Sequence, residues 1–362
     1  WYCSEVPQNL KTMQGKAKSI KRWNPLLGEW SLFAPNTGDR PWDGAVVSSD
    51  VETTSEFESA CYLCPGVKRA GGETNPEYKN VFSFDNDFAS LSMDDQNSTS
   101  AVGESDVSAN GLCRVVCFSP QHNLTLAKMC LQQVAGVVSH LQIQFRELSA
   151  ISEIENVMLF ENKGEAIGVS NPHPHGQIYA TDFIPRIPTA MYRNQADYLH
   201  KNGSCMLCDL LKQELIQDKR VVCSNRDFVA FVPPFARNKY EVYIVPRNHV
   251  TDIASLDDSA IASLSNLYHE MLIRYDNLFQ ISFPNITVFY NAPCKEGIDR
   301  TPWHFHIAFF PPLRSPDKLK YLAGFETGGG NIVNPSLPED AAVELRNLSA
   351  IHYLNGKTSQ GT

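Results

Sequence analysis

The feature that most constrains the fold is an order of structural markers that occurs twice along the chain. Each half reads C-x-x-C, strand, a second strand ending near Pro and His, amphipathic helix, strand, His-x-His, strand. The markers are Cys61, Cys64, His122, His173 and His175 in the first half and Cys205, Cys208, His249, His304 and His306 in the second. Internal repetition indicates two copies of one folding unit. We therefore predict an α+β fold in which two homologous halves, with mainly antiparallel strands, form a joined sheet flanked by helices.

The repeat also suggests domain boundaries. Residues 1–21 are polar and basic, and we expect an N-terminal arm there. We expect an N-terminal half that carries the active site over residues 22–190, a C-terminal half over 191–350 and a tail over 351–362. A chain of 362 residues, of which 43% are hydrophobic, can bury a core of this size.

The charge balance argues against a nucleic-acid partner. A formal net charge of −9 and a pI near 5.6 leave no basic stripe to neutralise a phosphate backbone. A small anionic substrate would need only local positive charge. No apolar run reaches the ~20 residues that span a bilayer, and the first residues do not resemble a signal peptide. We therefore expect no membrane association and a cytoplasmic location.

The segment Ser170–Gln177, which reads Ser-Asn-Pro-His-Pro-His-Gly-Gln, carries the strongest chemical signal. On an extended backbone His173 and His175 point to the same face, about 6–7 Å apart at ~3.3 Å per residue. One ring can then bind a metal while the other faces a substrate. The two prolines favour extended geometry, and Gly176 permits close approach to the backbone. An isolated H-x-H is more often a surface pair or a structural metal site, but this context favours an active site.

Four of the ten cysteines form two C-x-x-C pairs, which in a long chain rich in histidine favour metal binding over disulfides. Each pair has two histidines at repeat-equivalent positions. The expected ligand sets are Cys61, Cys64, His122 and His173, and Cys205, Cys208, His249 and His304. A Cys2His2 set is closed and tetrahedral, so we predict two structural zinc ions per chain. The alternative is that Cys205 and Cys208 are free thiols on a loop.

Together with Phe160–Gly164, the octapeptide closely resembles the active-site segment of galactose-1-phosphate uridylyltransferases, members of the histidine-triad superfamily of nucleotide transferases and hydrolases. The resemblance extends from about Arg22 to about Arg346. It implies exchange of UMP between UDP-glucose and galactose 1-phosphate, which yields glucose 1-phosphate and UDP-galactose by a ping-pong mechanism. It also implies a homodimer in which the second subunit contributes to each site.

The resemblance assigns roles to individual residues. It implies that His175 is the nucleophile that carries UMP and that Gln177 donates a hydrogen bond to a phosphoryl oxygen. The other substrate contacts that it implies are Arg40, Leu63, Phe84, Asn86, Asp87, Asn162, Gly168, Ser170, Lys320, Tyr321, Phe325 and Glu326. Thr37 stands where a further phosphate-binding arginine is expected.

The resemblance also bears on the metals. The best-known bacterial members carry a zinc in the first half and an iron bound by one Glu and three His in the second. The matching positions in this chain are Met191, Tyr290, His306 and Ala308. Three of the four ligands are therefore replaced, and we expect zinc without iron.

Three other functions compete with uridylyl transfer. The stretch from Gly324 to Pro335 also resembles a branch that uses ADP-sugars, and a nucleotide hydrolase of the same superfamily is a further alternative. The last alternative is a non-enzymatic binding protein. A neutral imidazole is a competent nucleophile near neutral pH, so an intact His175 argues against a non-enzymatic role. The C-terminal half has Phe305 between its histidines and no Gln after His306, and we expect it to be catalytically degenerate.

Overall fold

The order of strands and helices follows the repeat. The computed structural model describes residues 20–33, 55–93, 100–101, 104–105, 110–169 and 171–356. Its strands are β1 (Ile20–Asn24), β2 (Glu29–Phe33), β3 (Phe82–Asp85), β4 (Ser100–Ala101), β5 (Glu104–Ser105), β6 (Gly111–Cys117), β7 (Asn156–Lys163), β8 (His175–Thr181), β9 (Val221–Ser224), β10 (Phe228–Phe231), β11 (Val242–Pro246), β12 (Asn285–Tyr290), β13 (His306–Phe310), β14 (Leu313–Ser315), β15 (Lys318–Leu319) and β16 (Val333–Asn334). Its α-helices are α1 (Leu131–Ser149), α2 (Arg186–Asn202), α3 (Met206–Gln217), α4 (Asp258–Phe279), α5 (Gly324–Gly329), α6 (Pro338–Arg346) and α7 (Tyr353–Gly356).

Nine strands form one antiparallel sheet, in the order β3-β6-β8-β7-β12-β13-β11-β10-β9. The halves meet where β7 pairs with β12, and Phe160 lies opposite Val288 at this junction. Outward from the junction, β8, β6 and β3 on one side correspond to β13, β11 and β10 on the other. The predicted α+β fold with a joined, mainly antiparallel sheet is confirmed.

One face of the sheet is covered by α1 and α4. Apolar residues at helical spacing predict α1, and the structure confirms the helix and buries all of them; they are Val134, Val137, Val138, Leu141, Phe145 and Leu148. The side chain of Asp257 accepts a hydrogen bond from the backbone N–H of Ala260 and so caps the first turn of α4. Both helices pack into the same core as the inward residues of the strands, so the two halves share one hydrophobic core.

The opposite face differs between the halves. In the C-terminal half it is covered by α2 and α3, whose Met191, Leu207 and Leu211 pack in one cluster with Tyr243 and Ala308. Helix α2 was not among the sequence predictions. In the N-terminal half the equivalent strands leave His175 and Gln177 only half-buried. Among the described residues, the two copies therefore differ in whether helices pack on this face of the sheet.

Two elements differ from what the residue types alone favour. The glycine run 328–330 favours a turn, but Gly328 and Gly329 lie in α5 and only Gly330, at φ +77°, ends the helix. Helix α3 begins at Met206, directly after Cys205. Arg40, Thr37 and Ser170 lie outside the described residues. No helix within the described ranges is long and apolar enough to cross a membrane.

A buried ion network ties the halves together. The ammonium of Lys163 on β7 lies 2.8 Å from Oδ1 of Asp276 on α4, and Nε2 of His352 lies 3.3 Å from Oδ2 of the same carboxylate. The Asp276 side chain is 0% exposed. Burial alone would raise the pKa of Asp276, but Lys163 and His352 outweigh it and the pKa is lowered.

We expect Asp276→Asn to reduce the free energy of unfolding by about 3–5 kcal/mol, because it leaves the Lys163 ammonium buried without its counter-charge. Urea denaturation measures the change. The matched control is Asp218→Asn on the exposed end of α3, which should change stability by less than about 0.5 kcal/mol. Because the pKa of Asp276 is lower in the folded state, wild-type stability from this group should decline as the pH drops below 3.8. Equal stability of the two variants would contradict the assignment.

Candidate active site

The His-Pro-His segment leads directly into β8, which begins at His175. His175 lies opposite Cys117 and Gln177 lies opposite Val115 on β6. Gly176 faces the other side of the sheet, where an added Cβ would lie 2.6 Å from Cζ of Phe118 and 3.0 Å from the Phe160 carbonyl oxygen. The groups that approach the Gly176 backbone closely, as expected for a glycine, are therefore Phe118 and the Phe160 carbonyl. His175 and Gln177 share the opposite face because side chains alternate along a strand.

The tautomer of His175 follows from one hydrogen bond. Its Nδ1–H donates to the carbonyl of His173 at 2.8 Å, so the lone pair remains on Nε2. Burial lowers the pKa of His175, and the hydrogen bond to the carbonyl opposes that effect only in part. A neutral ring with a free Nε2 lone pair is the form that can attack phosphorus.

The four predicted ligands of the first half come together. The ligand atoms of Cys61, Cys64, His122 and His173 lie within 4.8 Å of one another, and all four residues are buried. Sγ of Cys64 lies 3.7 Å from Nδ1 of His122 and 3.6 Å from Nδ1 of His173. A tetrahedral zinc with Zn–S near 2.3 Å and Zn–N near 2.0–2.1 Å requires S···N separations of about 3.5 Å. The donor set and its spacing therefore fit a metal ion.

The second cluster has the same construction. The ligand atoms of Cys205, Cys208, His249 and His304 also lie within 4.8 Å of one another. Sγ of Cys208 lies 3.4 Å from Nδ1 of His304 and 3.7 Å from Nδ1 of His249. This cluster is more open than the first, since His249 is exposed. The prediction of two metal-ligand groups is confirmed, and the identity of the metal remains a proposal.

Equivalent backbone carbonyls orient one histidine of each cluster. Nε2–H of His173 donates to the carbonyl of Ser119 at 2.9 Å, and Nε2–H of His304 donates to the carbonyl of Pro246 at 3.1 Å. Each bond places the lone pair on Nδ1, toward the thiols. Burial lowers the pKa of His173 to about 4 and raises that of Cys64 to about 11. A bound cation would stabilise the thiolate and so oppose the effect of burial on Cys64.

Phe84, one of the predicted nucleoside contacts, lies on the same face of the sheet as His175. A cross-strand row runs from Phe84 through Val115 and Gln177 to Phe160. Phe84 is two strands from Gln177, a separation of about 10 Å at 4.7–4.9 Å per strand. Asn86 and Asp87 follow β3 at the edge of the sheet, and the buried Leu63 lies beside the first cluster.

A cavity of about 280 Å³ opens beside His175. Asn162 and Lys163 from β7 contribute to its wall, together with the loop 122–128. Oε2 of Glu161 is buried there and finds no hydrogen-bond partner among the described residues. Burial raises the pKa of Glu161 to about 7. Gly168 ends the short 3-10 helix Glu165–Ile167 in the left-handed region, at φ +88°.

The predicted sugar-binding residues lie in the segment between β15 and β16. Lys320 forms an ion pair with Glu326, whose carboxylate also accepts hydrogen bonds from the backbone N–H groups of Ala323 and Val333. Tyr321 is 50% exposed and Phe325 is 60% exposed. Lys320 and Glu326 thus stabilise their own segment, and the two aromatic rings face outward.

Sequence reasoning missed three residues around the site. Nδ2 of Asn171 donates to Sγ of Cys61 at 3.4 Å, and its Oδ1 accepts from the His173 N–H at 3.0 Å. The Tyr78 hydroxyl lies 3.2 Å from Nε2 of His173. Arg69 lies over the Phe84 ring. Only Asn171 carried a usable signal, since Asn before Pro is typical of a turn closed by its side chain.

The second half repeats the backbone arrangement around His175, but the equivalent histidine is not open to solvent. His306 donates through Nδ1–H to the His304 carbonyl at 3.0 Å, as His175 does to His173. Its ring lies 5.0 Å from the ring of Tyr290 and 5.3 Å from that of Tyr243, and it is fully buried. Its Nε2 makes no hydrogen bond within the described part of the chain. Ala308 occupies the place of Gln177. This copy therefore has neither an exposed imidazole nor a side-chain amide at these two positions.

Comparison with known proteins agrees with this architecture. The family models "Galactose-1-phosphate uridyl transferase, N-terminal domain" and "C-terminal domain" match residues 9–185 and 191–357. The chain is 39% identical over 337 residues to the galactose-1-phosphate uridylyltransferase of Haemophilus influenzae, covering 92% of this chain and 95% of that protein. It is 34% identical over 359 residues to the Rattus norvegicus enzyme, covering 97% and 93%.

Solved structures show the same fold. A structure of a uridylyltransferase superposes with a TM-score of 0.74 at 27% identity, covering 94% of this chain and 99% of that one. An Arabidopsis thaliana ADP-glucose phosphorylase with bound ADP-glucose superposes with a TM-score of 0.73, covering 92% of this chain and 100% of that one; at 23% identity this shows a shared fold alone.

Fold and site together define a transferase built from two fused copies of one histidine-containing unit. The chain belongs to the galactose-1-phosphate uridyl transferase family. The resemblance drawn from the octapeptide is thereby confirmed.

We expect the purified protein to contain two metal ions per chain, and Cys61→Ser and Cys205→Ser should each remove about one, because each deletes one ligand of a closed four-ligand set. Elemental analysis by mass spectrometry measures the content. The control is Cys130→Ser on the surface, which should keep both ions. Metal content unchanged by Cys205→Ser would rule out the second site.

Proposed function

We propose that the protein exchanges UMP between UDP-glucose and galactose 1-phosphate through a covalent intermediate on His175. The substrate pair is supported by relatives named galactose-1-phosphate uridylyltransferase. The mechanism is supported best by one observation, the 2.8 Å hydrogen bond from Nδ1–H of His175 to the His173 carbonyl. This bond directs the nucleophilic lone pair of Nε2 away from the backbone and toward the open face.

In the first half-reaction Nε2 of His175 attacks the α-phosphorus of UDP-glucose. The Nε2–P bond forms as the P–O bond to the β-phosphate breaks, and glucose 1-phosphate leaves with the electron pair. In the second half-reaction a phosphate oxygen of galactose 1-phosphate attacks the same phosphorus. The Nε2–P bond breaks, UDP-galactose forms, and His175 returns as the neutral imidazole. No proton must be gained or lost in either step.

The surroundings of His175 suit this charge distribution. The ring becomes an imidazolium while it carries UMP, and the His173 carbonyl stabilises its Nδ1–H. Gln177 lies two residues further on the same face of β8, where its amide can donate to a phosphoryl oxygen. A neutral donor is sufficient because a phosphate leaving group needs no proton.

We also propose zinc at both Cys2His2 groups, with no role in the chemical steps. Closed sets of two thiolates and two imidazoles favour structural zinc, and a bound zinc would contribute folding free energy. In the first group His173 is at once a ligand and the residue whose carbonyl orients His175. The metal site would therefore hold the loop that positions the nucleophile.

A homodimer fits the position of the sugar-binding segment. The exposed Tyr321, Leu322 and Phe325 present apolar surface that a second subunit would cover. Lys320 and Glu326 hold this segment in shape through their ion pair. We propose that each subunit supplies this segment to the other's site.

We expect His175→Gly to abolish exchange of label between UDP-glucose and glucose 1-phosphate, because the nucleophile is lost while all eight metal ligands remain. The matched variant is His306→Leu at the repeat-equivalent position, which should keep exchange in protein that retains both metal ions. Retained exchange in His175→Gly at near wild-type rate would exclude the covalent mechanism. Release of UMP without any acceptor would point to a hydrolase, and preference for ADP-glucose would point to the adenylyl branch.

The pH dependence of the first half-reaction should reflect the lowered pKa of His175. Because burial places this pKa below the ordinary 6.5, the ring stays neutral at pH 7 and the rate should be level from about pH 7 to 8. The rate should fall only below pH 6.5, as Nε2 becomes protonated. Single-turnover release of glucose 1-phosphate measures it. A rate that already declines between pH 8 and pH 7 would contradict the lowered pKa.

A further inference from the structure

Arg69 lies on a short hairpin attached to the first C-x-x-C segment. Its backbone N–H donates to the Glu73 carbonyl at 2.7 Å within the hairpin. The Asn75 side chain joins the hairpin to the C-x-x-C segment by donating to the carbonyls of Tyr62 and Cys64 at 3.0 Å each. Neither the chemical mechanism nor the predicted substrate contacts involve Arg69.

The Arg69 side chain is only 6% exposed, although it is charged. Its guanidinium carbon lies 4.1 Å from the centre of the Phe84 ring, a cation–π contact. Its Nε lies 3.4 Å from Oδ2 of Asp87, and its Nη2 pairs with Glu73. One buried guanidinium thus contacts both an aromatic ring and a carboxylate of the predicted nucleoside segment.

The ring of Phe84 is held from two directions. Tyr78 stacks on Phe82 with centroids 5.1 Å apart, and Phe82 stacks on Phe84 with centroids 5.7 Å apart. Arg69 ends this column at Phe84, while the Tyr78 hydroxyl at the other end contacts His173. With the guanidinium over its ring, Phe84 offers its edge to a nucleobase more readily than a free face.

The carboxylate of Asp87 is packed closely. It accepts a hydrogen bond from the Gly71 backbone N–H at 3.2 Å, and a Cβ at Gly71 would lie only 2.7 Å from its Cγ. Arg69 supports it from the other side. A carboxylate has about four lone-pair positions, so Asp87 keeps acceptor capacity for the hydroxyl groups of a ribose.

We propose that Arg69 is a positioning residue for the nucleoside part of the substrate: it holds the Phe84 ring and orients Asp87 toward the ribose hydroxyls. The ligand class is a ribonucleoside diphosphate sugar, and Arg69 makes the site selective for ribose over 2′-deoxyribose. The proposal depends on the proposed function, because it assigns the Phe84–Asp87 segment to the nucleoside. It adds a residue on a different loop to that subsite.

The test compares UDP-glucose with its 2′-deoxyuridine analogue in the wild type, Arg69→Met and Asp87→Asn. Loss of a contact that acts equally in ground and transition states raises KM and leaves kcat unchanged. For Arg69→Met we expect KM for UDP-glucose to rise about 10-fold, as for one charged hydrogen bond, and kcat to change less than about 2-fold. In Arg69→Met the preference for UDP-glucose over its 2′-deoxyuridine analogue should fall to the level seen in Asp87→Asn. A variant with both substitutions should show no further loss of this preference.

Two controls separate positioning from general damage. Arg69→Lys keeps the charge near Asp87 but not the planar stacking, so it should recover part of the ribose preference. Arg226→Met removes a surface arginine paired with Asp227 and should behave as wild type. Both metal ions must remain in Arg69→Met, as measured by elemental analysis. An unchanged ribose preference in Arg69→Met would overturn the proposal, whatever happens to kcat.

A different outcome would identify a failure of the proposed function. If the wild type does not exchange UMP at all, uridylyl transfer is wrong, and calorimetric binding of UMP and 2′-dUMP then tests Arg69 directly. A larger loss of binding for UMP than for 2′-dUMP in Arg69→Met would still support the positioning role. Equal binding of both ligands by the wild type and Arg69→Met would overturn it.

Discussion

The pairing of β7 with β12 is the interaction on which the rest of the structure depends. Without it each half would expose a long strand edge, which invites non-native association. The pairing joins two sheets into one of nine strands and brings α1 and α4 into one core. It also lets Asp276 of the C-terminal half neutralise Lys163 of the N-terminal half. The half that carries His175 is therefore stabilised by a charge from the other half.

The two copies diverge in what covers them and not in how their backbones are built. His175 and His306 each donate Nδ1–H to the carbonyl of the histidine two residues earlier. The difference is that α2 and α3 cover the second copy, where aromatic rings pack against His306. The equivalent face of the first copy stays open at Gln177. The two copies therefore differ in the exposure of this histidine and in the residue two positions further on, Gln177 in the first copy and Ala308 in the second.

The first Cys2His2 group connects the elements of the site. His173 belongs to the ligand set, its carbonyl orients His175, and its Nε2 contacts both the Ser119 carbonyl and the Tyr78 hydroxyl. From Tyr78 a column of stacked rings leads to Phe84 at the edge of the sheet. Displacement of the loop that carries His173 would therefore affect His175 and Phe84 together. The more exposed second group lies at the equivalent loop of the other copy.

By itself the sequence determined the features that short spacings and repetition encode. The periodicity of α1, the alternation in β8 and the paired C-x-x-C and His-x-His motifs predicted the joined α+β sheet and both ligand groups before any coordinates. Only the tertiary structure decided that Tyr243 and Tyr290 pack against His306, that Asn171 bonds to Cys61, and that Arg69 reaches Phe84. The physical reason is that these contacts join elements brought together by sheet pairing and core packing, and no local pattern of residue types specifies which distant partner a side chain meets.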